Sequence, residues 1–195
     1  MKKVLLTHTT KEIGPVFSNE ALKKLESFTE VIRNPYQRRM TQGEILANAQ
    51  EADAVIIEWY SRLDAEFFEK AMHLKVVGLC AESSHNIDLD AATRNGVIVA
   101  NVPERYMEPL VHLISCYMLC LATGIFEQQR ILREREEIVR FPWFELKGKT
   151  LGLIGIGRLG QRIAQMALSY GMRVLAYDPF ISNPEIPVQL VSLEE

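Results

Sequence analysis

The chain has little with which to cross-link itself or to hold a metal. Its three cysteines, Cys80, Cys116 and Cys120, are an odd number with no C-x-x-C spacing. That excludes a disulfide framework and reads as reduced, buried thiols in a cytoplasmic protein. Cys116 and Cys120 stand one helical turn apart, but no nearby His or Cys completes a metal set with them, so packing is the expectation and no metal is assigned. Excess positive charge is also missing. Twenty-two Lys and Arg against 25 Asp and Glu leave a formal net charge of −3, and no polybasic block occurs, so nucleic acid is not an expected partner. Nor is a membrane. The nearest approach to a spanning run, Leu110 to Phe126, is short and interrupted by His112, Ser115 and Thr123, and reads as an apolar helix buried between domains. The opening MKKVLLTHTT has too short an apolar run for a signal peptide and reads as a first strand.

What is present is ample apolar content, 48% over 195 residues, enough for one or two domains. Lys3 to Thr7, Thr29 to Arg33, Ala54 to Glu58, Lys75 to Leu79 and Val97 to Ala100 read as short strands. Between them Asn19 to Ser27, Thr41 to Ala49, Asp64 to Met72 and Asp88 to Arg94 read as helices. Thr41 with Glu44 three places on forms a capping box, Asp64 is a natural N-cap, and Gly96 stops a helix. Strands alternating with helices at this spacing predict a doubly wound parallel sheet over residues 1–101. A helical segment from Met107 to about Val139 follows, apolar first and then charged from Gln128 to Glu137. Phe141 to Leu146 caps it, so residues 102–146 form a linking helix and connection, and a second domain opens at 147–195.

That second domain carries the chemistry. The apolar run Leu151 to Ile154 leads into Gly155-Ile156-Gly157-Arg158-Leu159-Gly160, then a helix-period segment, then the run Val174 to Tyr177 ending on Asp178. A lone G-x-G-x-x-G is weak, since glycine turns are common; the strand before, the helix after and the acid about 20 residues on are what point to a dinucleotide. Gly155 allows the tight turn, Gly157 lets the backbone approach a pyrophosphate, and Gly160 lets the helix pack close to the sheet. The helix N-terminus offers N–H groups and partial positive charge to phosphates. Asp178 can accept both ribose hydroxyls and would repel a 2′-phosphate, which favours NAD over NADP. Arg158 either touches the pyrophosphate or is an exposed first-turn arginine. A methyltransferase turn would carry an acid just before the first glycine; Ile154 stands there.

The order of these parts, with several specific segments, resembles the D-2-hydroxyacid dehydrogenase family, which includes phosphoglycerate dehydrogenase. The matching residues are Asn86-Ile87-Asp88-Leu89 with Ala91-Ala92 and Gly96-Val97, then Asn101-Val102-Pro103. Leu146-Lys147-Gly148-Lys149-Thr150-Leu151-Gly152 leads into the glycine turn, and Tyr177-Asp178-Pro179 follows. The resemblance covers most of the chain and implies a flavodoxin-like doubly wound parallel-sheet domain followed by a partial Rossmann NAD-binding domain. It implies cofactor contacts from Gly155, Gly157, Arg158, Leu159, Gly160 and Asp178. It further implies hydride transfer between NAD(H) and a small 2-oxo or 2-hydroxy acid, and a homodimer, in the complete protein.

The departures matter as much. Where the family has a G-x-G loop whose N–H groups receive the substrate carboxylate, this chain has Ala81-Glu82-Ser83-Ser84-His85. Glu82 places a negative charge where an anion should sit; at about 4 Å like charges cost about 1 kcal/mol in water and several in a drier site. His85 is either part of that substrate loop's function or an ordinary loop histidine. The family's catalytic Arg, Glu and His are expected beyond Glu195, so no catalytic residue is assigned, and His8, His73 and His112 do not match the catalytic position. Val188 to Val191 reads as a strand, and Ser192 with Glu195 as a capping box opening a further helix, so an incomplete chain is expected, inactive alone. The alternative reading is a non-catalytic NAD-binding or regulatory module.

Overall fold

The computed structural model describes residues 1–135 and 142–194. Val139 and Phe141, into which the sequence ran the linking helix and its cap, lie outside the described residues, as does Glu195 of the expected capping box. The chain forms two compact units, Met1–Arg105 and Tyr106–Glu195.

The first unit is a five-stranded, wholly parallel sheet. Its strands are β1 (Lys2–Leu6), β2 (Thr29–Arg33), β3 (Ala54–Ile57), β4 (Val76–Leu79) and β5 (Ile98–Asn101), in spatial order β2-β1-β3-β4-β5. Val4, Leu5 and Leu6 are buried in succession, as a central strand covered on both faces requires. The crossovers hold α1 (Thr10–Val16), α2 (Asn19–Phe28), α3 (Gln42–Asn48), α4 (Ala65–Lys70) and α5 (Leu89–Arg94). The core gathers Ile45 and Ala49 around α3, Phe67, Phe68 and Ala71 around α4, and Ala91 and Ala92 of α5 against Leu5, Val55, Ile57, Val77 and Leu79. By contrast, α1 and α2 contain no fully buried residue.

Helix starts follow the sequence. The Thr41 hydroxyl accepts the Glu44 N–H at 3.3 Å and Glu44 Oε2 accepts the Thr41 N–H at 2.9 Å. A two-pronged ion pair with Arg38 holds the Glu44 carboxyl down at about 2. Asp64 and Asp88 accept the N–H groups of Phe67 and Ala91. One helix, α1, was not anticipated: its Thr9-x-x-Glu12 start obeys the same rule, with Glu12 Oε2 accepting the Thr9 N–H at 2.9 Å, but Gly14-Pro15 reads as a break. Pro15 nevertheless sits inside the last turn.

The second unit contains α6 (Met107–Thr123), α7 (Ile125–Arg135), β6 (Thr150–Ile154), α8 (Arg158–Ser169), β7 (Arg173–Tyr177) and β8 (Gln189–Leu190), with a parallel sheet ordered β6-β7-β8. The expected single linking helix is broken. Gly124 adopts φ 64°, donates its N–H to the Cys120 carbonyl, and the two helix axes diverge by 59°. The Phe144 N–H bonds the Ala122 carbonyl, another free acceptor at that helix end. The burial expected of α6 is also corrected: Leu113, Tyr117, Leu119 and Leu121 are exposed. No single helix among the described residues is long and apolar enough to cross a membrane.

Phe67 is fully buried whereas Met72, just past the end of the same helix, is 81% exposed. Phe67→Ala is therefore expected to cost about 3–5 kcal/mol, and Met72→Ala no more than about 0.5 kcal/mol, read from urea-unfolding midpoints.

Candidate functional site

The six residues assigned to a cofactor converge on one turn of the second unit. Strand β6 ends at Ile154, and the φ of 95° at the next residue, Gly155, takes the chain out of the sheet at an angle that side-chain-bearing residues rarely adopt. The Gly155 N–H bonds the Tyr177 carbonyl at 2.7 Å, which ties the turn to the end of β7. Ile156 is fully buried and anchors the turn in the core with Ala164, Ala167, Val174 and Ala176. Gly157 is the N-cap of α8, with Arg158 exposed and Leu159 half-buried behind it.

Two glycines do opposite work. A Cβ on Gly160 would lie 2.3 Å from the Gly155 carbonyl oxygen and 3.1 Å from its carbon, whereas a Cβ on Gly157 would meet nothing within 4 Å. Gly160 is thus demanded by the fold itself. With Ala164 and Ala167 on the same face, it lets α8 lie directly on the turn and the sheet. Among the described residues nothing crowds Gly157; the open space beside it, in front of a helix N-terminus, is the space an approaching phosphate would need.

Asp178 follows β7 and faces this turn. Oδ2 accepts the Ile156 N–H at 2.8 Å, and Oδ1 accepts the Phe180 N–H at 2.9 Å and the Ile181 N–H at 3.1 Å. The Ile156 bond above all, then that from Phe180, holds the carboxyl below its ordinary range. The sequence reading has this carboxylate accept both ribose hydroxyls. A carboxylate has about four acceptor sites, and three are already engaged with backbone.

In the first unit the expected substrate loop lies between β4 and α5, at the carboxyl end of the sheet. Ala81 is buried and its carbonyl accepts the Val102 N–H at 3.1 Å, while the Glu82 carbonyl accepts Asn101 Nδ2 at 2.5 Å. The loop is therefore strapped to the Asn101-Val102-Pro103 segment. Ser83 Oγ lies 3.0 Å from His85 Nδ1, and the Ser84 carbonyl accepts the Ile87 N–H. No residue from Ala81 to His85 has a positive φ, so the backbone does not take the left-handed steps that glycines would permit here.

Sequence reasoning missed a buried polar cluster at the neighbouring strand ends. His8, just past β1, places Nε2 2.6 Å from Oε1 of Glu58, just past β3, and both side chains are buried. This is the point where the sheet's connections change direction, since β1 leads outward to β2 and the chain then returns to β3. Next to it, burial tends to raise the Glu12 carboxyl, but the Thr9 N–H and hydroxyl and the Tyr60 hydroxyl outweigh that and hold it low. Tyr60 is pushed up to about 12 by burial and then by Glu12, and the Arg39 guanidinium stacks 3.9 Å from its ring centre. Burial, then the Glu58 charge, pushes the Cys80 thiol up to about 11. The available signal was polar Thr7-His8-Thr9 at the end of an otherwise apolar strand.

A doubly wound parallel α/β unit, followed by a βαβ unit with a glycine turn facing an acid, defines the class of dinucleotide-binding α/β proteins. Residues 4–112 match the family described as D-isomer specific 2-hydroxyacid dehydrogenase, catalytic domain, and residues 115–195 match the NAD binding domain of the same family. The chain belongs to the D-isomer specific 2-hydroxyacid dehydrogenase family. It is 35% identical over 182 residues to D-3-phosphoglycerate dehydrogenase of Methanocaldococcus jannaschii, covering 93% of this chain and 33% of that protein. It is 34% identical over 164 residues to the human D-3-phosphoglycerate dehydrogenase, covering 82% and 31%. The crystal structure of the TT0316 protein from Thermus thermophilus superimposes with a TM-score of 0.82 at 29% identity, over 98% of this chain and 60% of that one. The chain thus spans about a third of the length of the curated relatives it matches.

Two expectations test this geometry. Gly160→Ala should destabilise the second unit by about 1–3 kcal/mol, since backbone must move, while Gly157→Ala should change it by no more than about 1 kcal/mol, both read by urea unfolding. The second concerns pH. A carboxyl lowered in the folded state contributes stability that is full above its unfolded value of about 3.9 and disappears as pH falls through the folded value. The stability difference between wild type and Asp178→Asn should therefore be constant from about pH 7 to pH 5 and shrink below about pH 4.

Proposed function

We propose that this chain supplies the substrate-reading and NAD-binding parts of an oxidoreductase that moves hydride between NAD(H) and a small 2-oxo or 2-hydroxy acid. The observation that carries the cofactor half is the open space at Gly157 before the α8 N-terminus, set against the closed space at Gly160. The backbone N–H groups at the start of α8, from Arg158, Leu159 and Gly160, are the groups that would hold the pyrophosphate, with Gly155 shaping the turn. Asp178 would take an adenosine ribose hydroxyl on its remaining acceptor site. A second hydroxyl would have to displace one of its backbone donors. Its charge, followed by Pro179 and Phe180 with no Arg or Lys, disfavours a 2′-phosphate. The nicotinamide ring supplies the hydride acceptor or donor when bound.

On the substrate side, Ala81, Glu82, Ser83 and Ser84 form the loop that would face the acid. Because the loop lacks the left-handed glycine conformation and carries Glu82, it favours a substrate whose carboxylate is held elsewhere or whose far end tolerates a nearby negative charge. Homodimerisation and a cytoplasmic location belong to the same reading of the whole protein.

Isothermal titration calorimetry of the 195-residue chain checks the cofactor half. NAD is expected to bind at least about 10-fold more tightly than NADP, which corresponds to about 1.4 kcal/mol. Gly157→Ala should lose NAD binding while unfolding at nearly the same urea concentration. No heat with millimolar NAD would overturn the reading.

A further inference from the structure

The exposed side of α6 carries a pair of thiols that neither the cofactor turn nor the substrate loop uses. Cys116 and Cys120 occupy positions i and i+4 of a regular helix, Cys116 exposed and Cys120 half-buried, with their sulfurs 3.9 Å apart. They line a shallow groove together with His112, Ser115, Leu119, Thr123 and Ile125.

The backbone decides what this pair can do. Side chains four apart on a helix hold their Cβ atoms about 5–6 Å from one another, whereas a disulfide needs about 3.5–4.5 Å. Closing an S–S bond would therefore distort α6. An atom inserted between the sulfurs needs no such distortion. Two thiolates on a tetrahedral zinc(II) ion, each about 2.3 Å from it, stand about 3.8 Å apart, close to the 3.9 Å between these sulfurs; longer bonds or a pyramidal centre need only small side-chain rotations. Among the described residues no third His, Cys, Asp or Glu is placed to complete a metal set, so none of these supplies the remaining coordination.

We infer that Cys116 and Cys120 form a preorganised two-thiol site for a thiophilic metal or metalloid centre, such as cadmium(II) or an organic arsenic(III) group, which bridges the sulfurs without oxidising them. With phenylarsine oxide the step is a condensation. Two S–H bonds and the arsenic–oxygen bond are exchanged for two arsenic–sulfur bonds, and the oxygen leaves with both protons as one water; no electrons are transferred. Burial, then the neighbouring Cys116, raises the Cys120 thiol; a bare metal ion, unlike the arsenic oxide, would displace the thiol protons into solvent.

Intact-mass spectrometry with one equivalent of phenylarsine oxide tests this. Wild type and Cys80→Ser, the latter changing only the buried thiol, should each gain one phenylarsenic group with loss of two hydrogens. Cys116→Ser and Cys120→Ser should show no adduct, with the Cys116→Ala and Cys120→Ala forms and far-ultraviolet circular dichroism confirming that the helix is retained. Diamide, which accepts two hydrogens from a dithiol as it becomes a hydrazine, should leave the wild-type mass unchanged under the same conditions. An adduct missing from wild type, an adduct kept by either single variant, or ready loss of two hydrogens with diamide would each overturn the inference.

Discussion

The second unit is organised around a distance too short for any side chain. Helix α8 comes so near the glycine turn that a methyl group on Gly160 would collide with the Gly155 carbonyl. Everything else there follows from that approach. Small Ala164 and Ala167 continue the contact, Ile156 fills the core beneath the turn, and the helix N-terminus emerges beside Gly157 instead of behind a wall of side chains. Since the helix start and the strand end are fixed relative to one another, any ligand drawn by the helix end meets a preset surface. Rigidity of this kind lowers the ordering cost of binding.

Asp178 ties the turn from the other side. Its three backbone donors come from the turn and from the segment leaving β7, so one carboxylate sets the relative position of two loops. An acid in this place is usually considered for what it offers a ribose. In this chain it is part of the wall, with both of its oxygens engaged by backbone donors. The first unit shows the same economy: the Asn101 side chain straps the loop at Glu82 to the strand beside it.

Much of this was legible in the sequence because it depends on neighbours along the chain. The capping box at Thr41 and the Asp-started helices at Asp64 and Asp88 are local hydrogen-bond patterns, and the apolar runs of β1, β3 and β4 mark buried parallel strands. The glycine turn was legible for the same reason. What escaped depends on distance through space. His8 and Glu58 are far apart in the chain and meet only because β1 and β3 pair. The three donors to Asp178 depend on how two loops fold back. Helix α1 was hidden by Gly14-Pro15, whose local preference was overruled, and the break at Gly124 was hidden because a glycine inside a helical pattern is often tolerated. The exposure of α6 could not be read either, since an apolar composition does not state which face is covered.

The buried contact between His8 and Glu58 has a consequence for how this chain can vary. Two buried polar groups held 2.6 Å apart are tolerable as a pair, but removing either one leaves the other buried without its partner, at a cost of about 1–3 kcal/mol. That is a large fraction of a total stability of about 5–15 kcal/mol. The two positions therefore behave as one heritable character. Each constrains which mutations at the other survive, and a lineage can leave this arrangement only by changing both together or by first gaining stability elsewhere.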